Sequence, residues 1–162
     1  MTDLLSGPPP AAFNMAAYCL APGGPRDPGK TGLILAADPD ARDAEHLTFA
    51  ALDLAVRGVA AGLEAAGLRR GERLVIALPN TADYLLLFYG AIAAGIVPLP
   101  ASSLLTPAEV AFLVADSGAV AVAVAEGAAV PVPAGTRLLG PMELAAIRAA
   151  APRSGYAGTA AD

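Results

Sequence analysis

Between residues 74 and 125 the sequence alternates short apolar runs with segments that carry helix-capping residues. The apolar runs, each of strand length, are Leu74–Leu78, Ile96–Leu99 and Val120–Ala125. Asn80 or Thr81 can cap a helix that ends near Gly95, and Thr106–Glu109 is a capping box for a second helix. This strand–helix–strand–helix–strand order predicts βαβ units. We therefore expect a three-layer α/β fold, with a mainly parallel sheet flanked by helices.

The flanking segments predict how the rest of the chain is divided. Residues 1–30 are rich in proline and glycine and contain one short candidate helix, Ala11–Leu20. Residues 31–150 form the α/β lobe, and residues 151–162, small and polar, predict a flexible tail. Within the lobe we further expect a strand at Gly32–Ala37, a charged loop at Asp38–Glu45, and a helix that Thr48 caps and that ends near Gly67. We also expect a fourth strand at Arg137–Leu139 and a last helix at Pro141–Ala150.

Composition excludes several classes of protein. Of the 162 residues, 56% are hydrophobic and 15% are charged, so the chain has enough apolar surface to fold and is not intrinsically disordered. Ten basic residues against 15 acidic ones argue against a nucleic-acid-binding face. The single cysteine cannot form a disulfide within the chain, and one cysteine with one histidine cannot build a zinc site. This cysteine usage fits a reducing cytoplasm.

One uncharged stretch, Tyr84–Ala101, approaches the length of a membrane span. Glycines and prolines interrupt it, and no basic residues flank it. We interpret it as a buried helix that leads into a buried strand, and we expect no membrane span. Residues 1–10 lack the basic and apolar regions of a signal peptide.

The segment Gly24–Thr31 matches the phosphate-binding pattern G-x-x-x-x-G-K-[ST]. A phosphate loop needs a strand before it and a helix after it, whereas here a helix precedes and Gly32–Leu35 resembles a strand. Pro25 and Pro28 also remove two backbone N–H donors. We therefore expect no nucleotide to bind there, and a helix after Thr31 would reverse that conclusion.

The remaining candidate residues give no convincing active site. His46, the only histidine, has no orienting partner that the sequence identifies. Cys19, Tyr84 and Tyr89 lie on apolar helical segments and are expected to pack rather than react. No paired carboxylates or metal-ligand spacings stand out, so no catalytic or metal-binding residue is assigned.

The order of several segments resembles the adenylate-forming acyl- and aryl-CoA synthetases. The segments, with the family patterns they resemble, are Leu47–Leu52 (LTYxEL), Gly71–Asn80 (GDRVAILLPN), Gly90–Pro98 (GALKAGAVPVP) and Leu105–Val110 (LTPxEL). Phe13–Tyr18 and Ser103–Pro107 look most like the benzoate-CoA ligase branch. The resemblance covers roughly residues 13–150 and identifies the chain as similar to the N-terminal portion of such a ligase.

The resemblance implies a parent enzyme that uses ATP, Mg²⁺ and CoA to convert an acid, expected to be aromatic, into an acyl-adenylate and then an acyl-CoA. In relatives the lysine-containing phosphate loop follows a segment like Gly155–Asp162, so we expect this chain alone to be inactive and to bind no cofactor. Its partners would be the rest of the ligase and a carboxylic acid. A homodimer is left open.

Two departures from the family pattern limit what can be carried over. The usual glutamate of LTYxEL is Ala51, and Leu104 stands where some relatives place a basic residue near the CoA phosphates. Ser102 and Ser103 are the candidate rim of the CoA face, because loops at the carboxyl ends of parallel strands meet ligands. The competing interpretation is that they only turn the chain before Thr106. A stand-alone protein-interaction module and a P-loop protein remain the alternative functions.

Overall fold

A parallel four-stranded sheet forms the centre of the structure, a computed structural model that describes residues 13–21, 27–36 and 44–158. The helices are α1 (Met15–Leu20), α2 (Phe49–Ala65), α3 (Ala82–Ala93), α4 (Pro107–Ser117) and α5 (Pro141–Arg148). The strands are β1 (Thr31–Leu35), β2 (Glu45–Thr48), β3 (Arg73–Ala77), β4 (Val97–Pro100), β5 (Ala121–Val124) and β6 (Arg137–Leu139). The order in the main sheet is β4-β3-β5-β6, and every pair in it is parallel, which confirms the predicted fold class.

Helices cover both faces of this sheet because its central strands are apolar on both sides. On β3, Leu74 and Ile76 point to the layer that contains α1, α2, α3 and α5. Val75 points to the opposite face, which α4 covers with Val110 and Val114. All four residues of β5 are buried, as predicted for a strand without a polar face. The result is the expected three-layer arrangement.

The predicted side-chain caps of α2 and α4 are confirmed, whereas Thr81 precedes α3 without a side-chain cap bond. Thr48 begins α2, and its side-chain oxygen accepts from the N–H of Ala51 at 3.2 Å. Since position 51 carries no glutamate, the reciprocal half of the capping box is missing there. In α4 both halves are present between Thr106 and Glu109, and Gly118 closes that helix in the left-handed conformation.

Two helices of the large layer approach so closely that only glycine fits between them. A Cβ atom on Gly62 of α2 would overlap the backbone of Ile147 in α5. The backbone of a packed helix cannot move aside as the end of a long side chain can. Gly62 therefore fixes how near α5, and the strand β6 that precedes it, lie to α2.

Strand β4 forms one edge of the main sheet and contains two prolines, Pro98 and Pro100. The N–H groups of Val97 and Ala101 donate toward β3, to the carbonyls of Glu72 and Ile76. Since successive residues of a strand alternate in direction, Pro98 and Pro100 occupy the positions whose N–H groups would point away from the sheet.

The structure differs from the sequence predictions near both ends. Glu45–Thr48 is a strand that the sequence analysis assigned partly to a charged loop, and it pairs antiparallel with β1 in a separate two-stranded sheet. Helix α1 begins at Met15 after the cap Asn14, while Ala11 and Ala12 lie outside the described residues. In the segment predicted as a tail, Arg153, Tyr156 and Ala157 are hydrogen-bonded to α2 and to the α1 cap, and residues 159–162 lie outside the described part.

Candidate functional site

The carboxyl ends of β3, β4 and β5 lie side by side at one edge of the main sheet, as parallel pairing requires. The turn that contains Asn80 follows β3, the loop Ala101–Leu105 follows β4, and Ala125–Ala128 follows β5. Sheets of this kind meet ligands at such an edge. The predicted serines, Ser102 and Ser103, are both exposed in the loop that follows β4.

A small cavity of about 100 Å³ opens beside these serines. Apart from Ser102 and Ser103, its lining consists of apolar side chains from β3, α4, β5 and the adjoining loops, including Ala77, Val110 and Val124. That volume admits a few waters or one small group, and it is too small for a nucleotide. The cavity can therefore contribute the edge of a larger site but cannot enclose a substrate.

Hydrogen bonds explain the shape of this loop without any ligand. Ser102 Oγ accepts from the N–H of Leu104 at 3.2 Å, and its carbonyl accepts from the N–H of Leu105 at 3.2 Å. Leu104 projects away, with 92% of its surface exposed. Ser102 thus contributes to the turn before the α4 cap, and both Ser102 and Ser103 line the cavity.

The α4 cap near this edge contains an acidic side chain, Glu109, whose pKa is perturbed. Glu109 accepts from the N–H of Thr106 at 2.7 Å and from its hydroxyl at 2.8 Å. The bond from the Thr106 backbone, and then the one from its side chain, lower the pKa of Glu109. Both acceptor bonds hold the helix end, so this carboxylate has a structural role.

The other residues singled out by sequence are dispersed over the structure. Lys30 precedes β1, not a helix, and the Asp27 side chain accepts from the N–H of Gly29 at 2.9 Å. The described part of the P-loop match, residues 27–31, therefore lacks the strand-to-helix geometry, while Gly24, Pro25 and Arg26 lie outside the described residues. His46 is exposed on β2 opposite Ile34.

The aromatic and sulfur side chains of the apolar helices pack as expected. Cys19, Tyr84 and Tyr89 are half-buried against the large core layer. Within residues 13–21, 27–36 and 44–158, no group of three histidine, cysteine, aspartate or glutamate side chains is placed to hold a metal ion. No helix of the described ranges is long and apolar enough to cross a membrane.

A buried polar network that the sequence analysis missed lies between α2 and residues 153–157. At its centre is Asp53, which is 1% exposed. Its Oδ2 accepts from Arg57 Nε at 3.0 Å and from Arg57 Nη2 at 2.8 Å, a two-pronged pair one helical turn apart. Its Oδ1 accepts from the hydroxyl of Tyr156. Both carboxylate oxygens are therefore satisfied.

Two further bonds extend this network into the chain that follows α5. Arg57 Nη1 donates to the carbonyl of Arg153 at 2.7 Å, and Arg153 Nη1 pairs with Glu64 Oε1 at 2.6 Å. The sequence did contain a signal for this network. Asp53 lies directly beside Leu52 on the buried face of α2, and an arginine follows four residues later. What the sequence could not supply was Tyr156, about a hundred residues away.

We expect Tyr156 to make the stability of the chain fall above about pH 10. Burial, followed by the hydrogen bond to Asp53 and its charge, raises the pKa of Tyr156 above the ordinary 10.0, and Arg57 opposes the shift. The unfolded chain releases the phenol proton near pH 10 while the folded chain keeps it. The contribution of Tyr156 to the free energy of unfolding is therefore complete below about pH 10 and is lost as the pH rises toward the pKa of Tyr156 in the folded chain.

Urea unfolding from about pH 8 to about pH 11 checks this expectation. The difference in free energy of unfolding between the wild type and Tyr156→Phe should be constant up to about pH 10 and then shrink. Tyr18→Phe, at an exposed ring, is the control. A flat difference for Tyr156→Phe would contradict the assigned environment.

Known proteins match this chain over most of its length. The family model described as "AMP-binding enzyme" matches residues 25–153. A crystal structure of a benzoate CoA ligase from Burkholderia xenovorans LB400 superposes with a TM-score of 0.71 and 30% identity, covering 89% of this chain and 30% of that one.

Curated relatives give the same assignment from sequence. The long-chain-fatty-acid–CoA ligase FadD13 of Mycobacterium tuberculosis is 34% identical over 45% of this chain and 14% of its own length. A 4-coumarate–CoA ligase 5 of Oryza sativa is 37% identical over 51% of this chain and 15% of its own length. The aligned part of the chain thus covers only about one seventh of the length of these relatives, and the elements of the chain are those of an adenylate-forming ligase lobe. It belongs to the family of AMP-binding enzymes.

Proposed function

We propose that this chain is the N-terminal portion of an ATP-dependent carboxylate–CoA ligase. The observation that carries the proposal is the likeness to the benzoate CoA ligase, which covers 89% of this chain. In the proposed reaction the carboxylate oxygen attacks the α-phosphorus of ATP, which releases pyrophosphate and forms an acyl-adenylate. The CoA sulfur then attacks the acyl carbon, AMP leaves, and the thiol proton passes to solvent.

The described residues do not fit ATP or Mg²⁺ by themselves. No metal-holding cluster exists among them, and Lys30, the only lysine of the chain, precedes a strand in a turn rather than the helix a phosphate loop requires. We therefore assign ATP, Mg²⁺ and CoA to the whole ligase. The role proposed for this chain is a supporting lobe, whose helices and sheet hold the chain that follows.

Within the ligase, we place Ser102 and Ser103 at the rim of the CoA face. Their position at the carboxyl end of β4, beside a cavity that is open to solvent, supports this placement. Ser103 is the better candidate because Ser102 Oγ is engaged with Leu104. The apolar character of the cavity fits the edge of a binding face rather than a phosphate site.

We propose an aromatic acid as the substrate and the cytoplasm as the location. The likenesses to benzoate and 4-coumarate ligases support an aromatic acid, while the likeness to a long-chain-fatty-acid ligase makes a fatty acid the alternative to test. The single cysteine is consistent with a reducing compartment. A homodimer stays open, and the rest of the ligase is the partner that the proposal requires.

We expect pyrophosphate release from the complete ligase and none above background from the 162-residue chain. The reason is that rate in this chemistry comes from positioning two substrates and stabilising charge at the α-phosphate, for which the described residues offer no donor cluster. The measurement is a coupled pyrophosphate assay with ATP, Mg²⁺ and either benzoate-like or fatty acids. A reaction without carboxylic acid is the control. Turnover by the 162-residue chain, or none by the complete ligase with any acid, would contradict the proposal.

A further inference from the structure

Residues 153–158 form neither a helix nor a strand, yet three helices hold them. Helix α2 contributes Asp53, Arg57 and Glu64, the α1 cap contributes Asn14, and α3 contributes the carbonyl of Ala93. We call the three side chains of Asp53, Arg57 and Tyr156 the clasp. The supporting-lobe role does not by itself require such a concentration of bonds on six residues.

The bonds at Ala157 fix the direction of the backbone. Its N–H donates to the Ala93 carbonyl at 2.8 Å, and its own carbonyl accepts from Asn14 Nδ2 at 2.7 Å. The same Asn14 nitrogen donates to the Ile92 carbonyl at 2.8 Å, so one side chain ties α3 and the segment together. Since both polar groups of Ala157 are occupied, its backbone is held against α3 and the α1 cap.

The use of charge in the clasp favours a positioning role over a purely stabilising one. Asp53 is 1% exposed in a chain of which only 15% is charged. A buried ion pair costs desolvation that apolar residues of similar volume do not, so packing alone would favour leucine or methionine at such a place. What the clasp adds is geometry. Arg57 holds Asp53 with two directed bonds, and the bonds from Arg57 to the Arg153 carbonyl and from Tyr156 to Asp53 hold the segment in register with α2.

We propose that the clasp is a positioning device that fixes residues 153–158 on the helix layer and so sets the point from which the chain enters the remainder of the ligase. The second half of this inference rests on the proposed function. Asp53 and Tyr156 are then positioning residues: they act on the segment after α5 and touch no reacting atom. Their loss changes where the following chain starts, while the fold of the lobe persists.

The first experiment measures the position of the segment in the 162-residue chain itself. The triple variant Asp53→Leu/Arg57→Met/Tyr156→Phe replaces the clasp with apolar side chains, and amide hydrogen exchange is followed by NMR. We expect exchange at Ala157 to accelerate by about tenfold or more, with exchange at Val75 in the central strand within about twofold of wild type. Tyr156→Phe alone, which removes only the hydroxyl, gives the same local pattern to a smaller degree and serves if the triple variant does not fold. Unchanged exchange at Ala157 in a folded variant overturns the proposal that the clasp holds this segment.

The second experiment tests the consequence in the complete ligase. We expect the same variants to lower kcat for pyrophosphate release by about tenfold or more while KM for the carboxylic acid stays within about twofold. Asp83→Asn, which breaks the exposed pair of Asp83 with Arg148, is the matched control and should leave both constants unchanged. Faster exchange at Ala157 with unchanged kcat overturns the link to the ligase. If the wild-type ligase activates no acid at all, the proposed function fails, and the exchange measurement still decides whether the clasp fixes the segment.

Discussion

Truncation of Leu63 to alanine should lower the free energy of unfolding by about 3–4 kcal/mol, one of the two largest effects we expect from a single substitution in this chain. Leu63 lies in the last turn of α2, is fully buried in the large core layer, and is among its bulkiest enclosed side chains. Its neighbours on α3 and α5 cannot close the resulting space, because glycine contacts already hold these helices at their nearest approach.

Urea denaturation followed by circular dichroism measures the loss. Leu54→Ala is the matched control, since it removes the same atoms from the same helix at a position that is 50% exposed. We expect the control to cost no more than about 1 kcal/mol. Equal losses at the two positions would mean that α2 does not pack as described.

The second large effect is expected from Asp53→Ala, which should destabilise the chain by about 3 kcal/mol. The substitution leaves the Arg57 guanidinium partly buried without its partner and takes from Tyr156 the acceptor of its hydroxyl. An uncompensated charge in a desolvated place costs more than the pair itself contributes. The free energy of unfolding at about pH 7, from the same denaturation experiment, gives the value.

Two comparison variants make this second prediction sharp. Asp83→Ala breaks an ion pair whose side chains are both substantially exposed, and it should cost no more than about 1 kcal/mol. Joint replacement of Asp53, Arg57 and Tyr156 with apolar residues should recover most of the loss, because no charge then remains unpaired. A loss at Asp53→Ala as small as that at Asp83→Ala would show that the network is not buried.

The central sheet was predictable from sequence because its signals are local. A strand such as Ala121–Val124 has no polar face, and the Thr106–Glu109 box marks a helix start whatever surrounds it. The strand Glu45–Thr48 was not predictable in the same way. Its residues include two with polar side chains, Glu45 and His46, and only pairing with β1 makes it a strand.

The candidate sites differ in the same way, since one has a local sequence signal and the other depends on a contact between distant residues. Ser102 and Ser103 were predicted from their place after a strand, and the structure does bring them to the carboxyl edge of the sheet. Their role in CoA binding stays a prediction. The network around Asp53 was missed because its second half lies 103 residues farther along the chain. Sequence periodicity reports which face of a helix is buried, and it carries no information about which distant side chain arrives there.

The two prolines of β4 have a consequence for how this protein meets other chains. An open edge strand normally offers N–H donors to any extended peptide, and sheets of different molecules join edge to edge in this way when proteins aggregate. On β4 the outward positions are Pro98 and Pro100, so that edge presents carbonyls but lacks the matching donors. A strand from a second molecule cannot form a regular ladder there. We therefore expect little intermolecular sheet formation on the β4 side, even when the protein is concentrated or partly unfolded. The double variant Pro98→Val/Pro100→Val restores both N–H donors and should increase aggregation measured by thioflavin fluorescence.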